Sequence, residues 1–174
     1  MSLTQALMQE FEQESATTRR VLERVPEDRL AWKPHAKSMS VGELAMHVAM
    51  SPGYIATEWA LKDSVTMSGG GDPTPQPKST AEVLAAHDEG VKKTKEALTQ
   101  IGDDGLQKEW KFTTAEGTTI MGMPKVALVR TIVMNHTYHH RGQLSVYLRM
   151  LDIPVPSIYG PSADEGPFAA PVGA

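Results

Sequence analysis

Val133-Met134-Asn135-His136-Thr137-Tyr138-His139-His140-Arg141-Gly142-Gln143-Leu144 carries two histidines one helical turn apart, and its reading decides the fold. Positions i and i+4 lie about 40° apart around an α-helix. The imidazoles of His136 and His140 therefore leave from one face. That face is also apolar, because Val126, Val129, Val133, Tyr147 and Leu151 follow the helical spacing. A chelating pair set in an apolar stripe is expected to point into the protein. Pro124 suits the first turn of this helix, where its missing N–H costs little, and the pattern runs to Leu151. Its far side carries Arg130, Thr137, Arg141 and Arg149.

Three more segments show the same periodicity. Leu3, Leu7, Phe11, Thr18, Val21, Leu22 and Val25 predict a first helix over 3–25, stopped by Pro26. The connection to Met39 holds Leu30, Trp32 and Pro34, which is too apolar for a loose linker and suits a lid over a bundle end. Ser40-Val41-Gly42-Glu43 has the form of a capping box and opens a second helix, with Val41, Leu44, Ala45, Val48, Ile55 and Trp59 on one side and His47 at the border. Pro52-Gly53 should kink or divide it. Lys62 to Lys78, with three glycines and three prolines, reads as a long exposed crossover. Ser79-Thr80-Ala81-Glu82 is a second capping box, opening a helix striped by Leu84, His87, Val91, Leu98 and Ile101 and ended by Gly102. Between 110 and 121 two short alternating runs around Gly117 fit a small hairpin.

Four helices with one apolar stripe each bury those stripes by packing together. The expected fold is all-α: a four-helix bundle with long crossover connections and a small β-hairpin between helices three and four. Its 174 residues make one domain, 1–174, with 165–174 as a disordered tail. Ile158-Tyr159-Gly160 is the part of the proline-rich end suited to pack back on the domain.

Composition narrows the function. A net charge of −4, from 17 basic and 21 acidic residues without a polybasic block, argues against nucleic acid as a partner. No apolar run reaches the roughly 18 residues of a membrane span, and no signal peptide is visible. The expected location is the cytoplasm. The chain has no cysteine, which removes disulfides, thiolate ligands and a protein-borne sulfur nucleophile together. A metal must then be held by nitrogen and oxygen, and thiol chemistry must bring its thiol with a cosubstrate.

Two histidines do not make a tight site, so a third ligand must come from another helix. His47, mid-helix beside an apolar face, is the best candidate. Three neutral imidazoles would bind Zn²⁺ or a similar ion and leave a position open. Core or capping histidines explain the spacing equally well. His139, at i+3 from His136, competes with His140 on spacing alone. His87 offers a fourth ligand or an outer contact, and more often such a residue is simply packed. Gln143 lies on the site face and suits either orientation of a ligand or substrate or a helix-end hydrogen bond. Arg141 points about 100° from His140, which favours an ion pair or a dimer contact over chemistry. Gly142 costs about 1 kcal/mol relative to alanine in a helix, an expense offset if a neighbouring helix approaches there.

Trp32-Lys33-Pro34, the run Ser40 to His47, His136-x-x-x-His140-Arg141-Gly142-Gln143-Leu144 and the closing Pro156-Ser157-Ile158-Tyr159-Gly160 together resemble the DinB family, in order and over nearly the whole chain. This family is distinct from the DNA polymerase that shares its name. The resemblance implies a four-helix bundle, usually dimeric, with His47, His136 and His140 as the metal triad. It implies a divalent ion, zinc or nickel foremost, and a small-molecule substrate. Members include thiol transferases using bacillithiol-type cofactors and mycothiol-dependent maleylpyruvate isomerases. The expected activity is therefore metal-dependent thiol transfer to a small electrophile, the nucleophile being a metal-held thiolate or water, with hydrolysis next. The competing expectation is a metal-binding helical homodimer that senses or stores its ion without catalysis.

Overall fold

The computed structural model of the chain describes residues 1–66 and 74–166. It is mostly helical, with a small three-stranded sheet at one end. Helix α1 (Leu3–Leu22) starts at a complete capping box, in which Ser2 and Gln5 satisfy each other's backbone N–H, and buries Leu7, Phe11, Thr18, Val21 and Leu22. A 3₁₀ turn at Glu27–Arg29 follows. The connection behind it packs as expected, with the Trp32 ring edge-on to Tyr147 at 5.8 Å.

Helix α2 (Val41–Ile55) starts at the Ser40 capping box. Pro52 sits inside it without dividing it, and the winding loosens afterwards into a π-helical stretch, Ala56–Ala60. Helix α3 (Thr80–Leu106) is interrupted at Gly102, whose φ of 61° is left-handed, as a helix stop at glycine requires. Its capping box is only half formed. Ser79 accepts from the Glu82 N–H, but the Glu82 carboxylate turns outward to accept from Lys78 N.

Helix α4 covers residues 125–150. It comprises an α turn Lys125–Leu128, a π-helical stretch Val129–Asn135 and an α segment His136–Met150. The π stretch has no counterpart in the sequence reading. Pro124 ends a strand and caps the helix rather than occupying its first turn. Helix α3 packs on α1 and α2, while α4 packs on α2 and α1. The α2–α3 approach is close because Gly53 meets Gly90: a Cβ on Gly90 would lie 2.6 Å from the Ala49 carbonyl oxygen.

The hairpin expected between α3 and α4 is present as β2 (Glu109–Thr113) and β3 (Thr119–Pro124), paired antiparallel. The reading of 62–78 as crossover alone needs correction. Ser64–Thr66 forms strand β1, parallel to β2, so the sheet order is β1-β2-β3 and the fold is not purely α. Trp110 is fully buried there, donates from Nε1 to the Trp59 carbonyl and forms a three-ring cluster with Trp59 and Phe112, each pair of centroids 5.6–6.2 Å apart.

Two apolar clusters form the core. One joins the end of α1, the start of α2 and the end of α4 through Val21, Leu22, Leu44, Val48, Leu144 and Leu148. The other joins the remaining halves to the sheet through Leu7, Phe11, Leu98, Trp110, Leu128 and Val133. A small cavity lined by members of both, including Phe11, Val48, Val133 and Met134, also exposes His87, Thr137 and Tyr138.

The C-terminal segment returns over α1 and α4. Glu165 pairs with Arg20 and Arg24, and Asp164 with Arg149. The tail expected to be disordered from 165 thus begins with an anchored residue, and its part from 167 onward lies outside the described residues. Among the described residues no helix is long and apolar enough to cross a membrane.

Candidate metal centre

His47, His136 and His140 converge. His136 Nε2 lies 3.4 Å from His47 Nε2 and 3.1 Å from His140 Nε2, and one ligand atom from each ring falls within 4.8 Å of the others. The ring planes stand 72–86° apart, so the three edges face a common point instead of stacking. All three residues are half-buried, His47 on α2 and His136 and His140 on α4.

Several local features set this geometry. The Ser40–Glu43 capping box fixes the start of α2, and Val41 and Gly42 donate their N–H groups to the Trp32 and Leu30 carbonyls. That anchoring holds His47 in place. On α4 the helical repeat aligns His136 with His140. The chain entering α3 is tied to α2 by Gln76, which accepts from Ser40 Oγ at 2.7 Å and donates to the Leu30 carbonyl at 3.0 Å. This brings Thr74 Oγ1 to 3.4 Å from His47 Nδ1. On the other side Gln143 Oε1 lies 2.7 Å from His140 Nδ1. His136 Nδ1 is buried without a partner among the described residues.

Burial is the main cause of the low basicity of these rings. It pushes His136 down to about 4, helped by His140, His47 and His139. His47 is lowered by burial and then by His140. His140 is lowered by burial, against an upward pull from its Gln143 hydrogen bond. All three are neutral at pH 7, the form in which imidazole is a ligand. A neutral imidazole can donate from Nε2–H to a neighbouring ring or turn a bare Nε2 inward, and three inward lone pairs are compatible only with a cation between them. Nitrogens bonded at 2.0–2.1 Å to a tetrahedral ion stand about 3.3 Å apart, which the observed 3.1 and 3.4 Å spacings bracket. The residues fit a divalent metal ion.

The structure separates the other candidates. His139 is exposed, and although its ring centroid is 4.9 Å from that of His140, it lies outside the converging group. His87 is buried on α3 with Nδ1 3.6 Å from Asp88 and is a packed core histidine rather than a fourth ligand. Arg141 forms the ion pair that its direction suggested, at 2.8 Å from Glu14. It is also the largest departure from the expected polar far side, since it is 1% exposed and Thr137 beside it is buried too. Helix α1 covers that side. There Arg141 also donates to Thr18 Oγ1, the Glu14 carbonyl and Tyr159 Oη. Gly142 has open space beside it, so no neighbouring helix offsets its cost. The sequence reading did not include Thr74, whose threonine-proline setting carries no periodic signal.

Known proteins of similar sequence and shape place the chain in a family and share its fold. The chain is 26% identical over 159 residues to the uncharacterized protein YrdA of Bacillus subtilis, covering 91% of this chain and 89% of that one. It is 28% identical over 134 residues to the uncharacterized protein YjoA of the same organism, covering 76% and 80%. The crystal structure of a DinB-like protein from Bacillus cereus superimposes with a TM-score of 0.71 at 23% identity, over 89% of this chain and 97% of that one. The DinB-like protein YjoA of B. subtilis superimposes at 0.64 and 22%, over 88% and 99%. The family model described as "DinB family" matches residues 1–167, and the chain belongs to that family.

Proposed function

We propose that the chain is a divalent-metal-dependent enzyme, a single cytoplasmic four-helix-bundle domain working as a homodimer, that joins a low-molecular-weight thiol to a small electrophile. His47, His136 and His140 are its metal ligands, with zinc or nickel as the ion. The observation that carries this reading is the convergence of three neutral imidazoles from two helices 89 residues apart in sequence. Among the described residues no fourth histidine or carboxylate joins them. That favours a site with a free position over a filled storage or sensing site.

A bound ion supplies Lewis acidity, lowering the pKa of a thiol or water at its open position. The chain's own residues do the rest. The three rings stay unprotonated at neutral pH and hold the ion. The half-buried cluster between α2 and α4 admits the reactants. Exposed Met50 and Tyr54 follow His47 by about one and two turns and offer apolar surface to an electrophile. Because the chain lacks cysteine, the sulfur comes from the cosubstrate. In the transfer its S–H proton passes to solvent, a sulfur–carbon bond forms and the leaving group departs with its electron pair.

The test is elemental analysis of protein purified without a histidine tag, alongside turnover of 1-chloro-2,4-dinitrobenzene with bacillithiol, mycothiol or cysteine. The expected result is near one ion per chain, with His136→Ala losing both metal and turnover. Turnover retained in His136→Ala would dispose of the reading.

A further inference from the structure

We infer that Gln143 is a positioning residue for the metal centre, holding His140 in the one tautomer and orientation that presents Nε2 to the ion. The inference rests on the metal reading above and deepens it.

A neutral imidazole has one N–H, and a metal takes the nitrogen that lacks it. Gln143 Oε1 is an acceptor only, and it lies 2.7 Å from His140 Nδ1. The ring hydrogen is therefore held on Nδ1, and the bare nitrogen is the Nε2 that faces His136 at 3.1 Å. The opposite amide orientation would place the hydrogen on Nε2, pointing into the cluster where the ion must sit. Only the first arrangement is compatible with three inward lone pairs.

The three rings are unequally supported. His47 Nδ1 has Thr74 Oγ1 at 3.4 Å, a long contact, and His136 Nδ1 has no partner among the described residues. Burial among core side chains can hold a ring in place, but it cannot choose the tautomer. The Gln143 contact is the shortest outer hydrogen bond in the cluster. The chain spends an exposed side chain on it, next to a Gly142 that packs against nothing. Acceptors in this position raise ligand basicity and fix ring orientation, and losing one typically costs roughly 10- to 100-fold in metal affinity.

Exposure makes the test clean. Glutamine, leucine and glutamate are all good helix formers, so Gln143→Leu and Gln143→Glu should fold like the parent protein. Each protein is stripped of metal, titrated with Co²⁺ against a chromophoric chelator and followed by the visible d–d bands. Gln143→Leu is expected to bind Co²⁺ roughly 10- to 100-fold more weakly, with altered band positions and an unchanged apoprotein Tm. Gln143→Glu, an acceptor that cannot turn a donor toward the ring, should restore both affinity and spectrum. Parental affinity in Gln143→Leu, or weak binding left uncorrected in Gln143→Glu, overturns the positioning role and leaves the metal centre standing. Failure of the parent protein itself to bind Co²⁺ removes the metal reading and this inference together.

Discussion

Gly90 and Gly142 both sit inside helices, yet replacing each with alanine should move stability in opposite directions. Helix propensity favours alanine by about 1 kcal/mol at either position. At Gly142 nothing lies within 4 Å of the new Cβ, so most of that gain should appear. At Gly90 the Cβ would lie 2.6 Å from the Ala49 carbonyl oxygen, roughly 0.8 Å short of a comfortable 3.4 Å contact, and the obstacle is backbone that no rotamer change can move. Overpacking of this kind costs about 1–3 kcal/mol. Gly90→Ala should therefore be destabilised by up to about 2 kcal/mol after the propensity gain. At about 2–4 °C per kcal/mol for a domain of this size, the two variants should differ in Tm by several degrees, with the parent protein between them. Urea unfolding with matched m-values would give the free energies directly. If Gly90→Ala raised Tm as much as Gly142→Ala, helix α2 would not rest on α3 at this glycine.

Arg141→Ala should destabilise the protein by about 3–5 kcal/mol, because it removes the cation paired with Glu14, a side chain only 18% exposed, and leaves that carboxylate the Tyr159 hydrogen bond alone. The double variant Arg141→Met with Glu14→Gln should lose much less, and chemical denaturation of both would expose any error in that ordering. Acid should weaken the fold through His87, whose pKa is lowered by burial despite the opposing pull of Asp88. Its folded pKa lies below its unfolded one, so the unfolded chain takes up the proton first and stability falls as pH drops below about 6.5. His87→Leu should flatten the slope between pH 7 and 5 by up to about 1.4 kcal/mol per unit, while His136 and its neighbours keep their share. An unchanged slope would mean that His87 does not titrate with unfolding.

Much of this was legible in the sequence for a simple reason. Apolar side chains at helical spacing report directly on which face a helix buries, and Leu7, Leu22, Leu44, Leu98, Val129 and Val133 are all in the core as their periodicity required. The i, i+4 histidines likewise fixed their own mutual geometry. What periodicity cannot report is a partner far away in the chain. Arg141 looked like a surface residue because its burial depends on Glu14, more than a hundred positions earlier, and on Tyr159 in the returning tail. Ser64–Thr66 is too short to show alternation and becomes a strand only because β2 lies beside it. Spacing left His139 and His140 equivalent. The choice between them depends on where His47 sits, and so on the caps and the Gly53–Gly90 contact that place α2.

The π-helical stretch Val129–Asn135 sets the direction in which the metal-facing histidines look. His136 and His140 keep their mutual angle whatever precedes them, since both follow that stretch on regular α-helix. Whether they look toward His47 depends on how far the backbone has already rotated by residue 136. Removing one residue from 129–135 would turn both rings by about 100°, with every ligand retained and its spacing intact. A relative could thus keep all three histidines and still be unable to close them around an ion, so the length of this overwide coil belongs to the ligand set as much as the imidazoles do.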